Sequence, residues 1–138
     1  MYLLLFPVNL YNIKYFPKNI KNIILYEHPQ YFTKYNFNKK KLLLHRASMK
    51  EYYEYLISNN YNVTYINFNE KLEKNKIKYT IFDPIDKIDL KDIKYEMIES
   101  PNFLLNKTIY EEYRKKTDKF FFNNFYIYNK KKINLIPN

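Results

Sequence analysis

The amino-acid sequence predicts an α/β fold, a parallel sheet of about five strands with helices on both faces. Three observations lead there. Apolar-rich runs at residues 2–6, 22–26 and 78–82, the first of them continuous, suit strands buried within a sheet. A long stretch of helical period separates the second run from the next strand-like segment. Apolar runs and helical patterns then alternate along the chain, the order that parallel strands and their crossovers require.

Taken in order, the first run, residues 2–6, ends at Pro7, and the second, residues 22–26, is closed by Glu27 and Pro29. Residues 38–58 read as one helix. Leu42, Met49, Tyr52, Tyr53 and Leu56 recur on one face, and Lys39, Lys40, Lys50, Glu51 and Glu54 fill the other. The pair Asn59-Asn60 stops it and supplies the C-cap that glycine usually provides. Residues 62–68 form the third strand, 70–75 a short helix or loop, and 78–82 the fourth strand, ended by Asp83-Pro84. Residues 86–93 suit a helical turn and 95–98 a fifth strand. In residues 107–116, Ile109, Tyr110 and Tyr113 recur at helical spacing. Glu111 and Glu112 come early and Arg114, Lys115 and Lys116 late, as the helix dipole prefers. The whole reads as one Rossmann-like domain over residues 1–138, without linkers or repeats.

In such a sheet ligands bind beyond the carboxyl ends of the strands, where strand order reverses. Residues 7–10, 27–32, 67–69 and 83–86 are therefore the places to look for function. Dinucleotide and P-loop motifs need glycines so that backbone N–H groups can reach phosphate, and this chain has none.

Composition excludes more. Without cysteine there is no disulfide, thiol nucleophile or iron–sulfur ligand. With only His28 and His45, a zinc site is not expected. Ser48 lies inside a helix and lacks a nucleophile-elbow context, so no hydrolytic triad can be assembled. The first apolar run is too short for a membrane span and has no basic leader or cleavage site, which points to an intracellular, soluble protein, cytoplasmic or nuclear, with no membrane partner. Two glycosylation patterns, Asn62-Val63-Thr64 and Asn106-Lys107-Thr108, read as chance in so asparagine-rich a chain. The net charge is +10, carried by lysine, since Arg46 and Arg114 are the only arginines. The abundance of Lys, Asn, Ile, Tyr and Phe follows A/T-rich codons, as in some large DNA viruses, which discounts the basicity as a sign of nucleic acid.

Several groups are open to two readings. His45 and Arg46 either line a ligand pocket, or pack with Arg46 paired to a carboxylate such as Glu27 or Glu54. Asp83 and Asp86 either bind a cation or sugar hydroxyl, or make Asx turns. Glu96 and Glu99, like Glu51 and Glu54, read as solvated surface. The aromatic and basic tail, residues 120–138, either holds single-stranded nucleic acid or forms a helix that packs Phe121, Phe125 and Tyr128 inward with Lys130, Lys131 and Lys132 facing water.

The segment His45-Arg46-Ala47-Ser48-Met49-Lys50 resembles the photolyase-related branch of the cryptochrome/photolyase family. Phe6-Pro7-Val8-Asn9-Leu10, Ser100-Pro101-Asn102-Phe103-Leu104-Leu105 and the aromatic-basic tail match in the same order. The resemblance implies the amino-terminal α/β domain of such proteins, in which an antenna chromophore of folate, lumazine or flavin type passes light energy to FAD on a carboxyl-terminal helical domain. In photolyases that flavin donates an electron to a DNA lesion. Only the first domain resembles this chain.

Carried over by resemblance, the antenna-binding residues are Val8, Asn9, Glu27, Lys41 and His45. Val8 departs from the polar group found at this place in some relatives and offers only apolar contact. The residues themselves require no cofactor. FAD is expected only on the other domain, supplied as a separate partner through which damaged DNA would be met. The chain is then the partner or remnant of a split repair flavoprotein, inactive alone, with no catalytic residue and no metal. A small basic nucleic-acid-binding module using Lys39–Lys41 and Lys130–Lys132 is the alternative.

Overall fold

The structure is a computed structural model that describes residues 1–73, 77–84, 86–91 and 93–133. The backbone gathers into two compact units, residues 1–99 and 100–138.

In the first unit, β1 (Tyr2–Leu5), β2 (Asn22–Tyr26), β3 (Asn62–Ile66), β4 (Tyr79–Phe82) and β5 (Tyr95–Ile98) form one parallel sheet in the order β3-β2-β1-β4-β5. The three central strands are the apolar runs of the sequence. Leu3, Leu4, Leu5, Ile23, Leu25, Tyr79 and Ile81 are all at most 1% exposed, because both faces of these strands are covered. Leu3 is in register with Ile23 on one side and Thr80 on the other, so alternate residues line each face.

Right-handed crossovers decide what covers each face. The connections β1 to β2 and β2 to β3 step in one direction and share a face. There the rings of Tyr11 and Phe16 meet Phe82, and Tyr65 meets Tyr53 of α2 (Lys39–Ser58). The connections β3 to β4 and β4 to β5 step the other way. Their described residues within this unit form loops, where the sequence led us to expect a helical layer, and they bury Leu72 and Leu90 against the sheet. The α/β class holds, and the described residues of these two connections are loop rather than helix.

The element α2 begins and ends where its punctuation says. Asn38 caps the Lys40 amide at 2.9 Å. At the other end Asn60 takes φ 62°, and the Asn60 and Tyr61 amides donate to the carbonyls of Ile57 and Leu56, the paired bonds of a Schellman motif. Met49 and Leu56 are fully buried, and Leu42, Tyr52 and Tyr53 pack beside them. In a glycine-free chain, asparagine does glycine's work at Asn60 because its short polar side chain tolerates the left-handed region.

Some expectations shift. The third strand stops at Ile66, two residues early, since the Glu70 carboxylate draws the Asn67 amide into a tight turn. Among the described residues of 86–93 there is no helical turn. Gln30 binds the Lys87 carbonyl, His28 meets the Asp89 carbonyl, and Asp89 accepts from the Lys91 amide, so side chains have claimed the backbone groups a helix would use. Residues 74–75 of the expected loop and 134–138 of the tail lie outside the described residues. Two short elements carried no periodicity: a 3-10 turn at Ile13–Tyr15 capped by Asn12, and α1 (Pro29–Phe32), capped by the His28 ring with proline in its first turn.

The second unit holds α3 (Lys107–Lys115), capped by Asn106, and α4 (Phe122–Ile133). Tyr113 is buried, with the rings of Phe125 and Tyr128 at 5.0 and 5.2 Å. Glu112 accepts from Tyr128 and Lys132 across the two helices. Phe121, expected to face inward, is 58% exposed, because it precedes the first helical residue and escapes the inward phase of α4.

Asn60→Ala should lower stability by about 1 kcal/mol, since alanine resists the left-handed region, whereas Asn60→Gly should hold or raise it. Urea unfolding of the two variants checks the sign.

Candidate functional site

The strand order reverses between β1 and β4, so the carboxyl edge of the sheet is where a ligand would sit. Four of the five candidate residues lie at or beside this edge on elements the sheet positions: Val8 and Asn9 just after β1, Glu27 just after β2, and His45 on α2. Lys41 stands one helical turn before His45.

Glu27 is completely buried and fully engaged. Its Oε1 accepts from Arg46 Nε at 2.8 Å and from the Tyr65 hydroxyl at 2.6 Å. Its Oε2 accepts from Arg46 Nη2 at 2.6 Å and from the Phe68 amide at 3.3 Å. Burial pushes this carboxyl up, but the Arg46 hydrogen bonds, then Tyr65, Phe68 and the Arg46 charge, outweigh it and hold it below its ordinary 4.5. A carboxylate offers about four lone-pair positions, and four donors occupy these. Glu27 therefore positions its neighbours. Of the two readings of Arg46, the ion pair with Glu27 is observed, and the same guanidinium also borders a cavity.

Above that pair the Arg46 guanidinium lies 5.5 Å from the Phe68 ring centre and 5.9 Å from that of Phe32, while the two rings stack at 5.7 Å. Beside them opens a cavity of about 300 Å³ bounded by Phe32, Lys39, Leu42, Leu43, Arg46 and Phe68. A second, also about 300 Å³, lies on the opposite face between Tyr26, His28, Leu72, Asp89 and Leu90.

Asn9 is 1% exposed. Its Nδ2 donates to the Tyr11 hydroxyl at 3.2 Å, and its Oδ1 is buried without a partner. The Tyr31 hydroxyl and His45 Nε2 are likewise buried and unpartnered. The Tyr31 and His45 ring centres are 6.4 Å apart, and the charges of Asp86 and Tyr11 act on Tyr31. Burial, then those charges, drive the Tyr31 phenol well above its ordinary 10, so it stays a donor. Burial, then the Lys41 ammonium, push the His45 imidazole below 6.5, so it stays neutral. Val8 packs half-buried against the core. Lys41 is exposed, its ammonium 4.6 Å from the Phe37 ring centre.

The site is thus a buried amide oxygen, a protonated phenol and a neutral imidazole among aromatic faces. It has no nucleophile or acid–base pair, and among the described residues no group of three or more His, Cys, Asp or Glu side chains could hold a metal. Nor is any described helix long and apolar enough to cross a membrane. Tyr31 was missed in the sequence because nothing distinguishes one tyrosine among 17 until α1 turns it under the sheet edge.

The family model of deoxyribodipyrimidine photo-lyase-related proteins matches residues 8–95. The chain belongs to that family. The match takes in every residue of the site and stops in β5, so the second unit lies beyond it. Among curated proteins, an uncharacterized protein of Acanthamoeba polyphaga mimivirus is 30% identical over 161 residues, covering 96% of this chain and 82% of that protein. No solved structure matches.

In this photolyase-related chain, Arg46→Met should cost about 2 kcal/mol. That is less than a fully buried pair would lose, because the guanidinium is 44% exposed, yet Glu27 would be left with two donors. The pH dependence has a fixed sign. A folded-state carboxyl below its unfolded value binds fewer protons when folded, so its stabilisation is complete above about pH 4.5 and is lost as pH falls through the folded value. Chemical denaturation between pH 7 and 3 should show that loss in the wild type, and Glu27→Gln should flatten it.

Proposed function

We propose that the first unit is an antenna-type domain. It holds a planar chromophore of folate, lumazine or flavin type at the carboxyl edge of its sheet and passes excitation to FAD carried by a partner domain outside these 138 residues. Damaged DNA is met only through that partner, and the chain alone performs no repair.

One observation carries this reading: Asn9 Oδ1, the Tyr31 hydroxyl and His45 Nε2 are buried polar atoms without partners, on residues that follow β1, follow β2 and lie on α2. An unmet buried polar atom costs on the order of 1–3 kcal/mol, and a ligand that meets it recovers this. The set suits the imide edge of a pteridine or isoalloxazine, where N–H and C=O alternate. When bound, such a group would supply the light absorption. The protein's part is to orient it and keep water out, with Val8 and the rings of Tyr31 and Phe32 as apolar walls. Glu27 and Arg46 fix the distance between β2 and α2, and Lys41 offers a cation to an acidic side chain of the chromophore.

A second reading rests on the first turn of α2, where Lys39, Lys40 and Lys41 face the positive end of the helix dipole with no acid among them. An arrangement that costs helix stability suits a phosphate backbone, in the manner of a small basic nucleic-acid module.

Titrating the full chain with 6,7-dimethyl-8-ribityllumazine, FMN and a reduced folate, followed by absorption and fluorescence polarisation, should show one of them bind. Asn9→Leu and His45→Leu should each weaken it about tenfold. No binding by any of the three, or unchanged affinity in both folded variants, would remove the antenna reading. Oligonucleotide binding that collapses between 50 and 200 mM salt would put the second reading in its place.

A further inference from the structure

We infer that the second unit carries a docking groove for an acidic, tryptophan-bearing helix of another protein. The groove has a volume of about 280 Å³ and is walled mainly by Leu104, Leu105, Phe122, Tyr126 and Ile133, with Asn129 and Lys130 also in its lining. All belong to residues 100–138.

Four observations support this. First, the wall is apolar and open to solvent: Phe122 is 77% exposed, Leu104 72% and Tyr126 51%. Residues so placed in a unit this small mark an interface. Second, Phe122, Tyr126, Asn129, Lys130 and Ile133 follow helical spacing along α4, so the groove runs for about 16 Å, three turns at 1.5 Å per residue. That shape takes the apolar stripe of another helix.

Third, Asn129 is a lining residue of this groove and only 6% exposed, and its buried Oδ1 has no partner. A buried acceptor in an apolar wall calls for an N–H from the occupant, which an indole supplies while filling the rest of the space. Fourth, residues 100–138 carry eight basic and three acidic side chains, a balance of +5. Lys130 sits in the lining, with Lys131 next to it in sequence. The occupant is therefore acidic at its flanks.

The same observations disfavour other occupants. A second copy brings its own +10 charge and has no tryptophan. Nucleic acid would want more than one cation along the wall, and a lipid surface would leave the Asn129 acceptor unmet.

The inference stands apart from the chromophore reading, since ligand titration of one unit and peptide binding by the other can fail separately. The probe is a labelled 18-residue helical peptide with Leu and one Trp on one face and Glu elsewhere, measured by fluorescence anisotropy against the full chain. The wild type should bind it at least tenfold tighter than a version with Lys for Glu. Phe122→Asp, at an exposed position, should weaken binding at least tenfold while circular dichroism stays unchanged. Replacing the Trp by 1-naphthylalanine, which lacks the N–H, should weaken binding severalfold in the wild type and not in Asn129→Leu.

Equal binding of the acidic and basic peptides, or binding of neither, overturns the proposal. So does a concentration-dependent dimer in sedimentation that Phe122→Asp abolishes. Binding of oligo(dT) or anionic vesicles that depends on Phe122 overturns it in favour of those partners.

Discussion

The carboxylate of Glu27 joins β2, α2, β3 and the loop after β3 through one buried charge. It leaves the end of β2, takes both nitrogens of the Arg46 fork from α2, the hydroxyl of Tyr65 from β3 and the amide of Phe68 beyond it. A fully buried charge is tolerated only when its lone pairs are met, so the helix, the edge strand and the following loop must occupy compatible positions together. Arg46 then carries the constraint outward by stacking over Phe32 and Phe68. The edge strand β3, only half-covered along its length, has its carboxyl end anchored by this network.

A consequence is that the candidate site is built on rigid elements. Asn9 leaves β1, His45 leaves α2 one residue before Arg46, and Tyr31 comes from a single helical turn pinned by His28 and Pro29. Three buried polar atoms without partners are a cost that the surrounding core must outweigh.

Much of the fold was legible beforehand. The strands over 22–26 and 95–98 and the helix ending at Ser58 keep their bounds, because apolar continuity and the Asn59-Asn60 stop are local signals. The pairing of Arg46 with Glu27 was one of two open readings. What escaped had no period to read. The turn at Ile13–Tyr15 and the four residues of α1 are shorter than any repeat, and the loop at 86–91 is shaped by Gln30 and His28, more than fifty residues away. Phe121 illustrates the same limit, since one residue of helix start decided whether it faced inward.

By itself the amino-acid sequence determined the α/β class, the absence of glycine-dependent phosphate motifs and of thiol chemistry, the family resemblance, and most of the residues at the carboxyl edge. Those properties are local: periodicity, punctuation and residue type survive in an unfolded chain. Tertiary structure alone decided that Glu27 is saturated while Asn9, Tyr31 and His45 are not, and that Asn129 sits in an apolar groove. Whether a polar atom finds a partner depends on groups far away in the chain, and only packing brings them close or keeps them apart.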